Sequence, residues 1–296
     1  MAAELSSDNP GVSSRPDDRQ RPVDHYENFP VASWLCPPRV RAPVAAIYWF
    51  ARTADDIADE GSATAGDRLA DLLTYRNDLH AYLQDNTGSG RWPHVFGPLA
   101  RAASTFDLPA EPLYDLLDAF RQDVEKTRDG AGYADRAELL DYCRRSANPV
   151  GRLLLHLYGV TSPVALAESD AICSALQLIN FWQDAGLDLR RGRYYLPAED
   201  CRRHGLDPAD PASWPAHPNA PALLRDLSDW ARGLMLAGAP LVHRVPGRAG
   251  WELRFVVQGG LRILHRIERL QWRTLQHRPT VGLRDAPAML WRAARM

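Results

Sequence analysis

Apolar residues recur at helical spacing along most of the chain and form about eight long blocks. Intervals of three and four residues place side chains on one face of an α-helix, because the helix turns about 100° per residue. Strand-like alternation is scarce, and the breaks contain Gly and Pro. The blocks span residues 40–60, 66–84, 93–106, 110–128, 135–159, 163–189, 219–244 and 250–277. This pattern predicts an all-α fold, a single helical bundle.

The ends of the chain differ from its middle. Residues 1–22 are polar and rich in Pro, Ser and Asp, which predicts a disordered N-terminal tail. We expect one all-α domain over residues 23–282 and a C-terminal tail over residues 283–296. A chain of 296 residues is long enough to bury one large core in this way.

The overall charge excludes some partners. Lys and Arg total 35 against 37 Asp and Glu, a formal net charge of −2, so no general basic field attracts nucleic acid. No apolar run approaches the length of a membrane span, and the N-terminus lacks a signal-peptide pattern. We therefore expect a cytoplasmic protein, at most peripheral to a membrane. Its four widely spaced cysteines predict reduced thiols.

A first polar stripe lies in the block at 40–60. Tyr48, Arg52, Asp55 and Asp59 fall on one face of the predicted helix. Asp56 and Glu60 lie off that face, as auxiliary acidic groups. A solvated helix end with an Arg–Asp pair would also show this spacing, but the rest of the helix is apolar nearly all round, which favours an interior position.

A second stripe lies in the most apolar block. Gln177, Asn180, Asp184 and Asp188 follow one another at intervals of three, four and four residues. Burying unpaired carboxylates costs several kcal/mol each, so this stripe requires a cation. Mg²⁺ fits, because it takes one or two carboxylates and completes its shell with water and phosphate. The two stripes together predict Mg²⁺ bridging carboxylates to a substrate diphosphate, assisted by guanidinium groups.

The sequence contains no motif for the other common classes of active site. The chain contains no E-x-x-H, H-E-x-x-H, G-x-S-x-G, Walker A or G-x-G-x-x-G motif. A carbocation formed by loss of diphosphate would need an apolar, aromatic cavity that excludes stray water. Aromatic candidates for that cavity, each also a candidate for plain core, are Phe29, Tyr48, Phe50, Tyr142, Phe181 and Trp182.

At these residues the chain resembles the squalene/phytoene synthase family. Asp55-Asp56-Ile57-Ala58-Asp59 is similar to the first Asp-rich motif of that family, and the stripe from Gln177 to Asp188 is similar to the second. The resemblance covers about 28–282 and implies the class I isoprenoid synthase fold, a helical bundle around a central cavity. It implies metal binding by Asp55, Asp59, Asp184 and Asp188, diphosphate binding by Asn28, Arg52, Gln177 and Asn180, and catalytic roles for Tyr48, Arg52, Tyr142 and Asn148.

Several stretches resemble family members that convert presqualene diphosphate to hydroxysqualene in bacterial hopanoid pathways. These stretches are 27–33, 142–151 and 250–254. Gln183 replaces an arginine that is common in the wider family, and Asn28 replaces a common serine. Trp272 stands where the family has a tyrosine, so that position is not carried over as a site residue.

The Asn148-Pro149 pair interrupts a segment that is usually small and apolar in the wider family. Pro149 is expected to break the helix and to free a carbonyl near the middle of the cavity. A polar spot there is what water capture requires, so Asn148 is a candidate for holding the water.

The resemblance thus implies an Mg²⁺-dependent carbon–oxygen lyase that acts on presqualene diphosphate without NADPH. Functional pairing with a presqualene diphosphate synthase and a hydroxysqualene reductase follows from it. One alternative is condensation of two farnesyl diphosphates, or of two geranylgeranyl diphosphates to phytoene. Another is a non-catalytic helical protein that binds prenyl lipids.

Overall fold

A computed structural model describes residues 36–84, 88–280, 282 and 285–296. Within these ranges the chain is helical and contains no strand, which confirms the predicted all-α class. The helices are α1 (Pro38–Asp59), α2 (Ala65–Gln84), α3 (Pro93–Phe106), α4 (Glu111–Asp129), α5 (Arg136–Ser146), α6 (Asn148–Leu157), α7 (Pro163–Arg190), α8 (Ala198–Arg203), α9 (Ala220–Gly238), α10 (Gly247–Arg269) and α11 (Ala286–Ala293). Short 3-10 segments lie at Pro211–Ala216 and Ala239–His243.

Local sequence explains where several helices begin and end. The side chain of Ser162 accepts a hydrogen bond from the backbone N–H of Ala165 at the start of α7, and Asp135 accepts one from Glu138 at the start of α5. Both caps satisfy a backbone donor that has no partner within its helix. Gly130 ends α4 with φ 61°, a left-handed conformation that glycine adopts without steric cost.

The block predicted as one helix over 135–159 is two helices. The chain leaves helical geometry at Ala147, and α6 starts with Asn148 and Pro149. Proline has no N–H and clashes with the preceding turn, but it is well accommodated in the first turn of a helix. The predicted break is therefore confirmed.

Two other segments depart from the sequence-based expectation. The predicted helix over 250–277 ends at Arg269, and Gln271 and Trp272 then adopt φ values of 52° and 54°. The segment expected as a C-terminal tail contains α11, which packs against α10. The buried carboxylate of Asp285, beside this helix, receives hydrogen bonds from Arg262 and from Arg266 at 2.7 Å. These contacts attach α11 to the bundle, whereas the domain boundary at 282 stays a prediction.

The bundle has two apolar cores. One lies among α1, α2, α3 and α4, and the other surrounds the long helix α7, which packs most extensively on α9. Trp182 on α7 and Phe50 on α1 are both fully buried. Leu153 on α6 belongs to the first core and Leu155 to the second, so α6 joins the two.

Some predictions fall outside the described residues. That part of the chain contains the predicted tail at 1–22 and the stretch 27–33, which includes Asn28 and Phe29.

The four cysteines are buried free thiols, as expected. Among the described residues, no helix combines the length and apolarity needed to cross a bilayer.

Candidate functional site

An apolar cavity lies between α1, α6, α7 and α10. It encloses about 750 Å³ of space, including its open mouth. Its walls include Val44, Leu154, Leu176 and Leu253, one from each helix. Such a cavity has the apolar character that a prenyl chain requires.

The first polar stripe continues from this cavity along α1. Val44 lines the cavity, and Tyr48, Arg52, Asp55 and Asp59 follow it at intervals that keep them on the same helix face. Arg52 pairs with Asp55 at 3.3 Å and with the auxiliary residue Asp56 at 2.9 Å. Glu60 lies just beyond the helix and is exposed.

The second stripe continues from the same cavity along α7. Cys173 and Leu176 line the cavity, and the face that they occupy continues through Gln177, Asn180, Asp184 and Asp188. Gln177 and Asn180 are partly buried. On each helix an apolar cavity wall is thus followed by a polar, acidic stretch toward the C-terminal end.

Arginine contacts connect the acidic ends of the two stripes to the rest of the chain. The guanidinium of Arg193, just after α7, contacts Asp59 on α1. Arg278 pairs with Asp184, with Nη2 3.1 Å from Oδ2. Arg193 thus contacts the acidic end of the α1 stripe, whereas its neighbours Arg190 and Arg191 are exposed.

The electrostatics of the α7 stripe favour a bound cation. Burial, followed by the negative charge of Asp184, raises the pKa of Asp188 to about 7. This carboxylate is 9% exposed, so little water is available to solvate its charge. Two carboxylates one turn apart offer the hard oxygen ligands that Mg²⁺ prefers.

No group of three or more His, Cys, Asp or Glu side chains in the described ranges is close enough to form a metal site by itself. Mg²⁺ usually binds one or two carboxylates and fills its remaining positions with water and substrate phosphate. The donor set therefore fits Mg²⁺ held jointly with a diphosphate, and the assignment of the four aspartates as ligands stays a prediction.

The broken helix places Asn148 against α7. Asn148 is 6% exposed, and its Oδ1 accepts a hydrogen bond of 2.9 Å from the hydroxyl of Ser174. One turn later, a Cβ on Gly151 would lie 2.5 Å from Ser169 Oγ and 2.6 Å from Cys173 Sγ. Glycine thus permits the close approach of α6 to α7, and this approach holds Asn148 beside the stripe.

Sequence reasoning missed one carboxylate that joins several elements of the site. Asp123 on α4 accepts a hydrogen bond of 2.6 Å from the hydroxyl of Tyr142 on α5. Burial, with contributions from the charges of Asp55 and Asp188, raises its pKa to about 7. Helical spacing in the sequence could have indicated this position, because Asp123 follows Leu116 and Phe120 at helical intervals on the inward face of α4.

Of the aromatic residues named as candidates for the cavity, Phe181 lies near the site and Phe50 lies in a packed core. Phe181 stacks on Tyr195 with ring centroids 3.7 Å apart and lies 6.1 Å from Tyr142. Phe50 instead packs on Tyr75 and Phe96, in the core among α1, α2 and α3. The amide of Gln183 donates to the carbonyl of Pro279 at 2.9 Å, a structural contact with the segment that follows α10.

Comparison with known proteins gives consistent matches. The squalene/phytoene synthase family model matches residues 23–285. Hydroxysqualene synthase of Rhodopseudomonas palustris is 36% identical over 244 residues, which cover 82% of this chain and 80% of the relative. Presqualene diphosphate synthase of Zymomonas mobilis is 30% identical and covers 79% of this chain and 78% of that protein.

A solved structure is similar in both fold and sequence. Squalene synthase HpnC from Alicyclobacillus acidocaldarius superposes with a TM-score of 0.75 and 34% identity, covering 84% of this chain and 90% of that chain. This similarity shows the expected isoprenoid synthase helical fold. The chain belongs to the squalene/phytoene synthase family.

Proposed function

We propose that this protein is a hydroxysqualene synthase that converts presqualene diphosphate and water to hydroxysqualene and diphosphate. The observation that carries this proposal is the pair of acidic stripes that continue, on α1 and α7, from the walls of one apolar cavity. An apolar prenyl substrate fits the cavity, and its diphosphate fits the acidic ends when cations accompany it. The similarity to hydroxysqualene synthases over most of the chain favours this reaction within the family.

We assign Mg²⁺ binding to Asp55, Asp59, Asp184 and Asp188. Bound Mg²⁺ supplies positive charge that stabilises the departing diphosphate. Arg52, which already contacts two carboxylates of the α1 stripe, is placed to share the diphosphate charge. Gln177 and Asn180, on the α7 stripe, are assigned to orient the leaving group through their amide donors.

Water capture is assigned to the neighbourhood of Asn148. Most of the cavity wall is apolar, so water is excluded from most positions around a carbocation. Asn148 is a buried amide beside α7, fixed by Ser174. An amide has donors and an acceptor, so it can hold one water in a defined orientation. Tyr48 and Tyr142 supply aromatic surface that stabilises positive charge.

The decisive experiment supplies presqualene diphosphate as the sole organic substrate, with Mg²⁺ and without NADPH. We expect hydroxysqualene and diphosphate in equal amounts, measured by mass spectrometry and a diphosphate assay, and no product when EDTA is present. A parallel reaction receives labelled farnesyl diphosphate. Formation of presqualene diphosphate or of a C30 hydrocarbon from farnesyl diphosphate, with no turnover of presqualene diphosphate, would overturn the proposal in favour of a condensing enzyme.

A non-catalytic prenyl-lipid-binding role predicts a different result. In that case the acidic stripes need not bind metal, and a diphosphate analogue would stabilise the protein equally with and without Mg²⁺. We expect thermal stabilisation by the analogue only when Mg²⁺ is present. This measurement separates binding from catalysis because it requires no turnover.

We place the protein in the cytoplasm, in functional pairing with a presqualene diphosphate synthase that supplies the substrate and a hydroxysqualene reductase that consumes the product.

We also propose peripheral contact with the inner membrane through α10 and α11. Trp251, Leu290 and Trp291 are 47%, 54% and 60% exposed. Arg254 lies over the ring of Trp251, and Arg295 over that of Trp291, at 4.9 and 3.9 Å. Exposed tryptophan beside arginine favours an anionic membrane surface.

Co-sedimentation with vesicles tests this contact. We expect binding to phosphatidylglycerol vesicles that weakens in the Trp291→Glu variant. Leu73→Glu, at a side chain of α2 that is 59% exposed, is the matched control and should leave binding unchanged. Equal loss in both variants, or no binding by the unmodified protein, would contradict the membrane contact.

A further inference from the structure

The carboxylate of Asp123 on α4 accepts a hydrogen bond from a tyrosine on another helix. Tyr142 Oη on α5 donates to Asp123 Oδ2 at 2.6 Å, a short distance typical of a charge-assisted hydrogen bond. The ring of Tyr142 in turn lies 6.3 Å from that of Tyr195, which follows α7. Asp123 thereby connects α4 and α5 through one partly buried carboxylate.

This arrangement fixes what the Tyr142 hydroxyl can do toward a further partner. A phenol has one proton, and in Tyr142 that proton is directed to Asp123. The oxygen lone pairs are then the groups left for any further partner. Burial, with the charge of Asp123, raises the pKa of this phenol well above the usual range, so the hydroxyl keeps its proton. Toward a further partner Tyr142 therefore acts as a hydrogen-bond acceptor, which suits a water molecule and does not suit a diphosphate.

The network lies between the acidic stripes. The negative charges of Asp55 on α1 and of Asp188 on α7 both act on Asp123. Burial, with a contribution from the charge of Asp123, raises the pKa values of Tyr133 and Cys143. Phe181, one residue after Asn180 of the α7 stripe, stacks on Tyr195. Tyr195 lines a small pocket together with Asp188 and Arg193, so the aromatic group borders the region where the diphosphate is proposed to leave.

Capture of a carbocation by water releases a proton that must be accepted. The water oxygen forms a C–O bond with the cation, and one of its O–H bonds breaks, so one proton leaves for each hydroxysqualene formed. A water that donates to Tyr142 Oη would have its proton directed along a path that ends at Asp123, because the Tyr142 proton already points there.

We propose that Asp123 is a positioning residue for water capture: it turns the hydroxyl of Tyr142 into an acceptor and takes, through that hydroxyl, the proton that the attacking water releases. The inference rests on the proposed function, since it concerns the hydroxylation step. It adds a proton path that is separate from the metal-assisted loss of diphosphate. Loss of diphosphate and formation of the alcohol should therefore respond differently when Asp123 is changed.

The test compares Asp123→Asn with Asp118→Asn, presqualene diphosphate being the substrate. Asp118 is on the same helix in a surface pair with Arg76 at 3.0 Å, so its substitution controls for the loss of a carboxylate from α4. We expect Asp123→Asn to keep Mg²⁺-dependent diphosphate release within about threefold of the unmodified protein. The ratio of hydroxysqualene to unhydroxylated C30 hydrocarbon should fall by ~10²-fold, the scale of a lost acid–base group. Asp123→Glu should recover part of that ratio.

A structural role for Asp123 predicts another pattern. Diphosphate release and hydroxysqualene formation would then fall together, with the product ratio unchanged, and that result would overturn the inference. If Asp123→Asn does not fold, as judged by circular dichroism, Tyr142→Phe carries the test with the same expected change in ratio. If the unmodified protein forms no hydroxysqualene from presqualene diphosphate, the proposed function fails, which is distinct from an unchanged product ratio in the variants.

Discussion

The hydroxyl of Ser174 on α7 donates a 2.9 Å hydrogen bond to Oδ1 of Asn148, the first residue of α6. Both side chains are buried, so the bond is sheltered from competing water. The interruption at Ala147 and Asn148 and the polar face of α7 therefore form one structural unit, and the orientation of the Asn148 amide depends on Ser174.

This relationship gives a first prediction. We expect Asn148→Ala to lower the yield of hydroxysqualene and to raise the share of hydrocarbon products, because the buried amide that orients the water is gone. Ser174→Ala removes only the partner and should cause a smaller change in the same direction. Product analysis by mass spectrometry checks both. Unchanged yield and identity of the alcohol in Asn148→Ala would mean that Asn148 does not hold the water.

The metal assignment predicts loss of all turnover in Asp55→Ala and in Asp184→Ala. Each substitution removes a carboxylate from one stripe, so Mg²⁺ could no longer link both helices to the diphosphate. Asp71→Ala is a suitable control, since Asp71 makes a surface pair with Arg91 at 2.7 Å and should leave the rate unchanged. Diphosphate release is the measurement, and retained activity in both site variants would rule out the assignment.

Packing around the second stripe predicts a stability change at Gly186. A Cβ at this position would lie 2.4 Å from the backbone oxygen of Leu275, between the turns that carry Asp184 and Asp188. We expect Gly186→Ala to lower the free energy of unfolding by about 1–3 kcal/mol, because backbone at this contact must shift. Urea denaturation measures the effect.

The control for Gly186 is Gly233, inside α9, where a Cβ would meet nothing within 4 Å. Gly233→Ala should raise the free energy of unfolding by roughly 0.5–1 kcal/mol, since alanine loses less backbone entropy than glycine in a helix. Equal effects of the same sign at the two sites would contradict the close packing inferred at Gly186.

The raised pKa of Asp188 predicts a pH dependence in the absence of Mg²⁺. An unfolded chain ionises this carboxyl near pH 4, whereas burial and Asp184 hold its folded pKa at about 7. Between these values the folded state binds more protons, so the contribution of Asp188 makes the protein less stable as pH rises from about 4 to 7. Asp123, with its pKa also raised to about 7, acts in the same direction.

Thermal denaturation at pH 5 and pH 8 in EDTA checks this sign. We expect Asp188→Asn to reduce the loss of stability between the two pH values relative to the unmodified protein, because an amide does not ionise. A steeper loss in the variant, or an identical one, would show that Asp188 is not the carboxyl that titrates in this range.

Sequence by itself determined the local features. Residue periodicity and backbone chemistry, which act over a few residues, predicted the helical class, both acidic stripes, the break before Pro149 and the position of Glu60 off the first stripe. Asp55 and Asp59 share a face in any helix with this sequence. The stripe from Gln177 to Asp188 is fixed in the same way.

Tertiary structure alone decided which distant groups meet. Asp123 on α4 accepts a hydrogen bond from Tyr142 on α5, and Arg278 pairs with Asp184, across separations that no helical period encodes. The attachment of helix α11 to the bundle likewise depends on the pairing of Asp285 with Arg262 and Arg266. The physical reason is that burial and charge pairing depend on how the helices pack against one another, and periodicity within one helix carries no information about its neighbours.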